Sequence, residues 1–288
     1  MRGGHKVEEE KENIIIQGIN LIDQLSNQDI IKLINEADIS TKETYTALGR
    51  KLFKQANHLT SASFNQIRPL IKAIAVLIYI KFISSDYTER CKYIISLHQS
   101  CTELKPHSRY ITIILHCYKE AIQIWSQLNK QSLNEILPEL DCENVKSSIF
   151  HSYCYIASTT TTPTTTSGAS TTTGTVPESD VSDEQTINRL QALGQAMELA
   201  LVLPDNIQIV YINTSIQIGR EMYNSKQTQY SIQVFQNALY LIETINTKQT
   251  RVHTQRGHNS DHTEMMEVIE YKKVVVLMCL SKLYTDAG

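Results

Sequence analysis

His253, His258 and His262 crowd one short stretch together with Asp261, and imidazole and carboxylate groups are what a bound divalent metal ion requires. His258 and His262 are four residues apart and would share one face of a helix. Their neighbours are Arg, Gln, Gly, Asn and Ser, the composition of a solvated loop, and the histidines read as loop residues without a metal. Six cysteines, Cys91, Cys101, Cys117, Cys142, Cys154 and Cys279, lie inside apolar stretches with no C-x-x-C pair. That pattern fits buried reduced thiols in a reducing compartment better than a disulfide framework or a zinc knot. The chain has no P-loop, no G-x-G-x-x-G, no G-x-S-x-G and no H-E-x-x-H, so the sequence assigns no catalytic residue and no cofactor. The single tryptophan, Trp125, lies in an apolar helical stretch and reads as core, as do most of the 14 tyrosines at stripe positions.

With no catalytic group to position, the elements themselves carry the reading. The chain has 288 residues, 41% of them hydrophobic, enough for a sizeable core. Gly and Pro number only 10 and 6, while Ile and Leu recur in blocks separated by Lys, Gln, Asn and Glu, which predicts an all-α fold. Net charge is −3, and the basic residues never form a run that could neutralise successive phosphates, so direct nucleic-acid binding is not expected. Met1 to Asn13 is charged and polar, unlike a secretory signal. Leu70 to Phe82, the most apolar segment, is interrupted by Lys72 and Lys81 and falls short of the ~20 residues a bilayer span needs, so it reads as a buried helix. The triplet Asn213-Thr214-Ser215 matches the glycosylation pattern by chance, since it sits in a helical pattern.

Composition divides the chain in three: a helical region at 1–157, a Thr/Ser-rich insertion at 158–186, and further helices at 187–288. Ser158 to Gln185 holds too little apolar surface to offset its ordering entropy, and is expected to be disordered and to lengthen a helix-to-helix loop. About six helices are expected before it. Ser40-Thr41-Lys42-Glu43 has capping-box form and precedes the stripe Tyr45, Leu48, Leu52, Ala56 and Leu59. Ser108 precedes Ile111, Ile114, Leu115, Tyr118, Ile122 and Trp125, apolar on more than one face and therefore sandwiched between neighbours. Pro106 and Pro138 mark breaks, and Asp141 to Asn144 begins a helix running to Ala157. Thr247 to Thr263 reads as an enlarged loop.

After the insertion, Ile218-Gly219 with Met222, then Ser231, Phe235 and Ala238, reproduces tetratricopeptide-repeat spacing over 212–245. Gly219 lets two helices approach, Ser231 is small where the second helix crosses, and Phe235 with Ala238 form the seam. Ser215 and Glu243 depart from the signature. Leu277, Leu280, Ser281 and Tyr284 repeat the first-helix pattern, Tyr45, Leu48, Gly49 and Leu52 fit it too, and 200–206 resembles a repeat's closing stretch. The expected fold is a helical-hairpin (TPR-like) α-solenoid, continuing past Gly288 because a stacked array needs a closing helix. First-helix positions opposite the seam would line a concave face: Asn213, Ile216, Arg220, Tyr223 and Asn224 from one helix, and Val275, Met278 and Lys282 from the next. Amide, aliphatic, aromatic and basic groups in one groove suit a peptide or partner helix.

The chain resembles the meiotic tetratricopeptide scaffolds of the Zip-four, sporulation-twenty-two and testis-expressed-eleven type. Leu52-Phe53-Lys54-Gln55-Ala56 stands where that family commonly has Leu-Trp-Asn-Trp-Ala, so both family tryptophans are replaced. Leu203-Pro204, Tyr211 to Tyr223, Tyr230 to Ile242 and Lys272 to Asp286 follow the order of its first repeats, and the Thr-rich insertion is peculiar to this chain. The resemblance implies a non-catalytic scaffold, nuclear and chromosome-associated, that recruits crossover and synapsis proteins. It implies protein partners, with no membrane and no small-molecule substrate. A cytosolic repeat adaptor or cochaperone is the alternative, and an enzyme on a helical scaffold ranks third.

Overall fold

The computed structural model describes residues 26–36, 68–82, 87–128, 139–159, 178–253 and 260–287. Among the described residues every regular element is a helix: α1 (Asn27–Glu36), α2 (Arg68–Phe82), α3 (Tyr87–Leu104), a 3₁₀ turn (Ser108–Tyr110), α4 (Ile111–Gln127), α5 (Glu139–Ser158), α6 (Glu178–Ala200), α7 (Asp205–Asn224), α8 (Thr228–His253) and α9 (Ser260–Asp286). The all-α expectation holds. None of these helices is long and apolar enough to cross a membrane. The chain forms two compact units, Met1–Ser152 and Tyr153–Gly288.

In the first unit α2 packs on α3 and α3 on α4, with α1 against α2 and α4. The capping box expected at Ser40 lies outside the described residues, as do Tyr45 to Leu59 with their resemblance motif. A related cap opens α1: Ser26 Oγ accepts from the Asp29 amide at 3.2 Å and donates to its carboxylate at 2.6 Å. Leu70, Ile71, Ala73, Ile74, Ala75, Val76 and Leu77 of α2 are buried, as the apolar run requires. In α4, Ile113, Ile114, Cys117, Tyr118, Ala121, Ile124 and Trp125 are buried and share one face. Ile111 is 42% exposed and Leu115 and Ile122 are half-buried, so among the described residues the expected covering of a second face is not found, because the apolar side chains there meet no neighbouring helix that buries them.

In the second unit each helix touches the next and the next but one: α7 packs on α6, α8 and α9, and α8 on α6 and α9. This is a layered array of neighbours, compatible with a helical solenoid. The tight joint is α7 to α8. Its seam is centred on Gly219, where an added Cβ would lie 2.8 Å from two ring carbons of Phe235. Ser231 Oγ donates to the Gly219 carbonyl at 2.7 Å, and Phe235 and Ala238 are buried. The helices turn through a Schellman ending, with the Gln227 amide on the Met222 carbonyl at 2.8 Å and the Lys226 amide on that of Tyr223 at 2.9 Å. Lys226 holds the left-handed position with φ 62°, which glycine usually fills.

Two boundaries differ from expectation. Helix α6 starts at Glu178, so 178–186 is helical instead of belonging to the insertion; residues 160–177 lie outside the described residues. Pro177 followed by Glu178 and Asp180 is a helix-start signal, and Thr186 is buried and accepts from Gln227 Nε2 at 2.7 Å. The loop expected at Thr247 to Thr263 is shorter, since α8 runs to His253 and α9 begins at Ser260. Gly257 is the one strong breaker in that stretch, and polar residues alone do not stop a helix.

Candidate partner-binding groove

Helices α7 and α9 are brought side by side by contacts that cross between them. Tyr223 OH donates to Asp286 Oδ2 at 2.6 Å, and Lys282 Nζ lies 5.1 Å from the centre of the Tyr223 ring. A cation over an aromatic face at an exposed site contributes about 0.5–1 kcal/mol. Tyr223 and Lys282, expected to line the same groove from different helices, therefore meet. Asn213, Arg220 and Asn224 are exposed on α7, Met278 is 68% exposed on α9, and Val275 is half-buried. Ile216 is only 7% exposed and offers little surface to a partner.

Two residues extend the face beyond those expected. Tyr271 and Val268 stand three or four residues apart along α9 before Val275, and they are 64% and 39% exposed. Carrying the spacing of Val275, Met278 and Lys282 backwards along the helix finds both. The resulting surface offers apolar contact from α9 and amide and guanidinium donors from α7, which together suit an amphipathic peptide or helix.

Behind this surface an ion pair fixes α7. Arg189 of α6 donates through Nη2 to Glu221 Oε2 at 2.6 Å and through Nε to the Ala157 carbonyl at 2.7 Å. Gln217 Nε2 donates to the other Glu221 oxygen at 3.0 Å. The Ala157 carbonyl belongs to the last turn of α5, so Arg189 supplies a partner to a helix end that lacks one. The sequence gives no sign of this contact, because the three groups come from three helices.

Several groups with reactive chemistry in the first unit are tuned away from reactivity. Cys91, Cys101, Cys117, Cys142 and Cys154 are buried free thiols and Cys279 is half-buried, in keeping with the reading of reduced core cysteines. Burial, then the neighbouring Cys142, pushes Cys91 up to about 11. A hydrogen bond with Cys101, then burial, raises Cys117. Both stay protonated at neutral pH and are poor nucleophiles. In the first unit the imidazoles of His98 and His151 stack at 5.0 Å with an interplanar angle of 13°. Burial, then the proximity of His151 and Lys105, lowers His98 to about 4; burial, then Lys105, lowers His151 to about 4. Parallel rings do not converge on a shared ion. Among the described residues no three His, Cys, Asp or Glu side chains come together as metal ligands. His258 lies outside the described residues, His253 is in α8 and His262 in α9. Trp125 is 4% exposed and serves the core.

Comparisons with protein-family models, with curated proteins and with solved structures find no match to this chain.

Proposed function

We propose that the chain is a non-catalytic protein-protein interaction scaffold, built on tetratricopeptide-type helical hairpins, that holds a partner peptide or helix along the exposed face shared by α7 and α9. The observation that carries this reading is the junction of Tyr223 with Lys282 and Asp286, which makes one surface of the outer faces of two helices. The close seam at Gly219 and Phe235 supports the repeat assignment, since small residues at that crossing are what the hairpin needs. Among the described residues, the protonated thiols of Cys91 and Cys117 and the weakly basic imidazoles of His98 and His151 are in keeping with a non-catalytic reading.

The resemblance extends the proposal: the partners are crossover and synapsis proteins, and the site of action is the chromosome in the meiotic nucleus. Direct contact with nucleic acid, membrane or a small-molecule substrate is not part of this function. The test is affinity purification of the protein from meiotic and from vegetative or somatic cells, with mass spectrometry of what accompanies it. Recovery of crossover and synapsis proteins from meiotic cells, lost in an Arg220→Glu/Lys282→Glu variant, is the expected result. Chaperones or a cytosolic complex recovered from both cell types would instead assign the chain to the cytosolic adaptors. Partners retained by the double variant would remove the groove from the proposal.

A further inference from the structure

Cys101 and Cys117 lie where α3 packs on α4, flanked by Leu97 and Leu104 on one helix and by Ile114 and Ala121 on the other, all of them buried. Cys101 Sγ donates to the Ile114 carbonyl oxygen at 3.9 Å, and Ile114 stands three residues before Cys117 on the same side of α4. Cys117 is in turn hydrogen-bonded to Cys101. A single buried cysteine serves packing as any small apolar side chain does. Two that touch across a helix crossing add what packing does not need, a pair of sulfurs within reach of each other.

A disulfide holds its sulfurs ~2.05 Å apart, with the two Cβ atoms about 3.5–4.5 Å from each other. Thiols already in hydrogen-bond contact, on consecutive helices joined through 105–110, reach that geometry by side-chain rotation and a small approach. In the resting fold two obstacles stop the reaction. Both side chains are closed off from solvent, and contact with Cys101 together with burial keeps the Cys117 thiol protonated. A local opening of the crossing removes both obstacles at once: water and oxidant enter, and a hydrated thiol regains its ordinary pKa of about 8.5.

We infer that Cys101 and Cys117 form a redox-controlled staple, silent while α3 and α4 are closed, which a peroxide converts to a disulfide tying the two helices together once their crossing opens. In the first step one thiolate attacks a peroxide oxygen; the S–O bond forms, the O–O bond breaks, and hydroxide leaves to become water with the proton that the thiol gave up. In the second step the other sulfur attacks the sulfenic sulfur; the S–S bond forms, the S–O bond breaks, and the departing oxygen takes that thiol's proton to leave as water. Two thiols lose two electrons in all, and one hydrogen peroxide is reduced to two waters. The bond then closes the short loop between the two cysteines and resists the opening that allowed it to form. The staple lies in the first unit and does not depend on the groove's role.

The experiment uses the unaltered 288-residue chain with hydrogen peroxide as the probe, in buffer and in urea below the unfolding transition. Remaining thiols are capped with N-ethylmaleimide in denaturant, and the chain is digested without reduction for mass spectrometry. The expected product joins the Cys101 and Cys117 peptides, is two hydrogens lighter than their sum, disappears on reduction, and forms about tenfold faster in the urea, where the crossing opens more often. In the oxidised chain, α3 and α4 amides that exchange through this opening should slow by about 10- to 100-fold, the scale of closing a loop of about 15 residues. Cys101→Ala and Cys117→Ala should each abolish that slowing. Maleimide on both cysteines after peroxide, a bond from either one to Cys91, Cys142, Cys154 or Cys279, or oxidation to sulfinic acid in place of the disulfide would overturn the inference. So would a rate of bond formation indifferent to urea, or a bond that leaves hydrogen exchange of α3 and α4 unchanged.

Discussion

Replacing Gly219 with alanine pits two opposite effects against each other, and the structure decides which prevails. In the interior of a helix, Gly→Ala stabilises by about 1 kcal/mol through backbone entropy. At Gly219 the new methyl would lie 2.8 Å from two Phe235 ring carbons and 3.1 Å from a third, where carbon atoms prefer about 3.5–4.0 Å. Phe235 is 1% exposed, so the ring cannot swing into solvent, and overpacking of this kind costs about 1–3 kcal/mol. The net expectation is a loss of about 0–2 kcal/mol. Gly194 in α6 serves as the internal reference: a Cβ there meets nothing within 4 Å, and Gly194→Ala should stabilise by about 1 kcal/mol. Phe235→Ala alone should cost about 3–5 kcal/mol, but in that background Gly219→Ala changes sign and becomes stabilising by about 1 kcal/mol. Urea unfolding followed by circular dichroism gives the energies, and hydrogen exchange of α7 and α8 amides locates them. If Gly219→Ala stabilised the otherwise unaltered chain as much as Gly194→Ala does, or if its effect were the same with and without the Phe235 ring, the close-seam reasoning would be refuted.

Acid should weaken the first unit before carboxylates titrate. His98 and His151 hold folded values of about 4 against about 6.5 unfolded, so the unfolded chain takes up protons that the folded one refuses. Their contribution is complete above pH ~6.5 and lost as pH falls toward ~4, a drop of ~2–4 kcal/mol for the pair by pH 5 after allowance for partial exposure. Trp125 fluorescence in urea reports on this unit, and a His98→Gln/His151→Gln variant should show a flatter slope over that range. Lys226→Gly should stabilise by about 1 kcal/mol, because glycine takes a positive φ without strain; an unchanged unfolding midpoint would contradict this. Arg189→Met should cost about 1–3 kcal/mol by leaving the Ala157 carbonyl without its donor. Glu221→Gln should cost less, since that carboxylate is 36% exposed and its ion pair is partly screened. The reverse order in urea midpoints would count against the assigned role of Arg189.

Local chemistry made part of this structure readable in advance. Gly219, Ser231, Phe235 and Ala238 could be placed from spacing alone, because the size of a residue at a helix crossing is a property of its type. The buried run in α2 and the break at Pro106 were legible for similar reasons. Composition misled where polar residues sit in helices: Thr186 belongs to a buried contact despite its place in a Ser/Thr-rich stretch, and Gln249 and Thr250 lie within α8. Lys226 gave no signal, since lysine has no preference for the left-handed position it takes. In the groove, the exposed α7 positions followed from helical spacing. The meeting of Tyr223 with Asp286 depends on how two helices lean on each other, which periodicity does not encode, and the burial of Ile216 likewise depends on its neighbours.

The bond from Arg189 to the end of α5 also ties three helices at one point: α5 through the Ala157 carbonyl, α6 through Arg189 itself and α7 through Glu221. A turn of α7 about its axis must stretch the Glu221 contact or carry Arg189 with it, so the last turn of α5 registers how α7 is set.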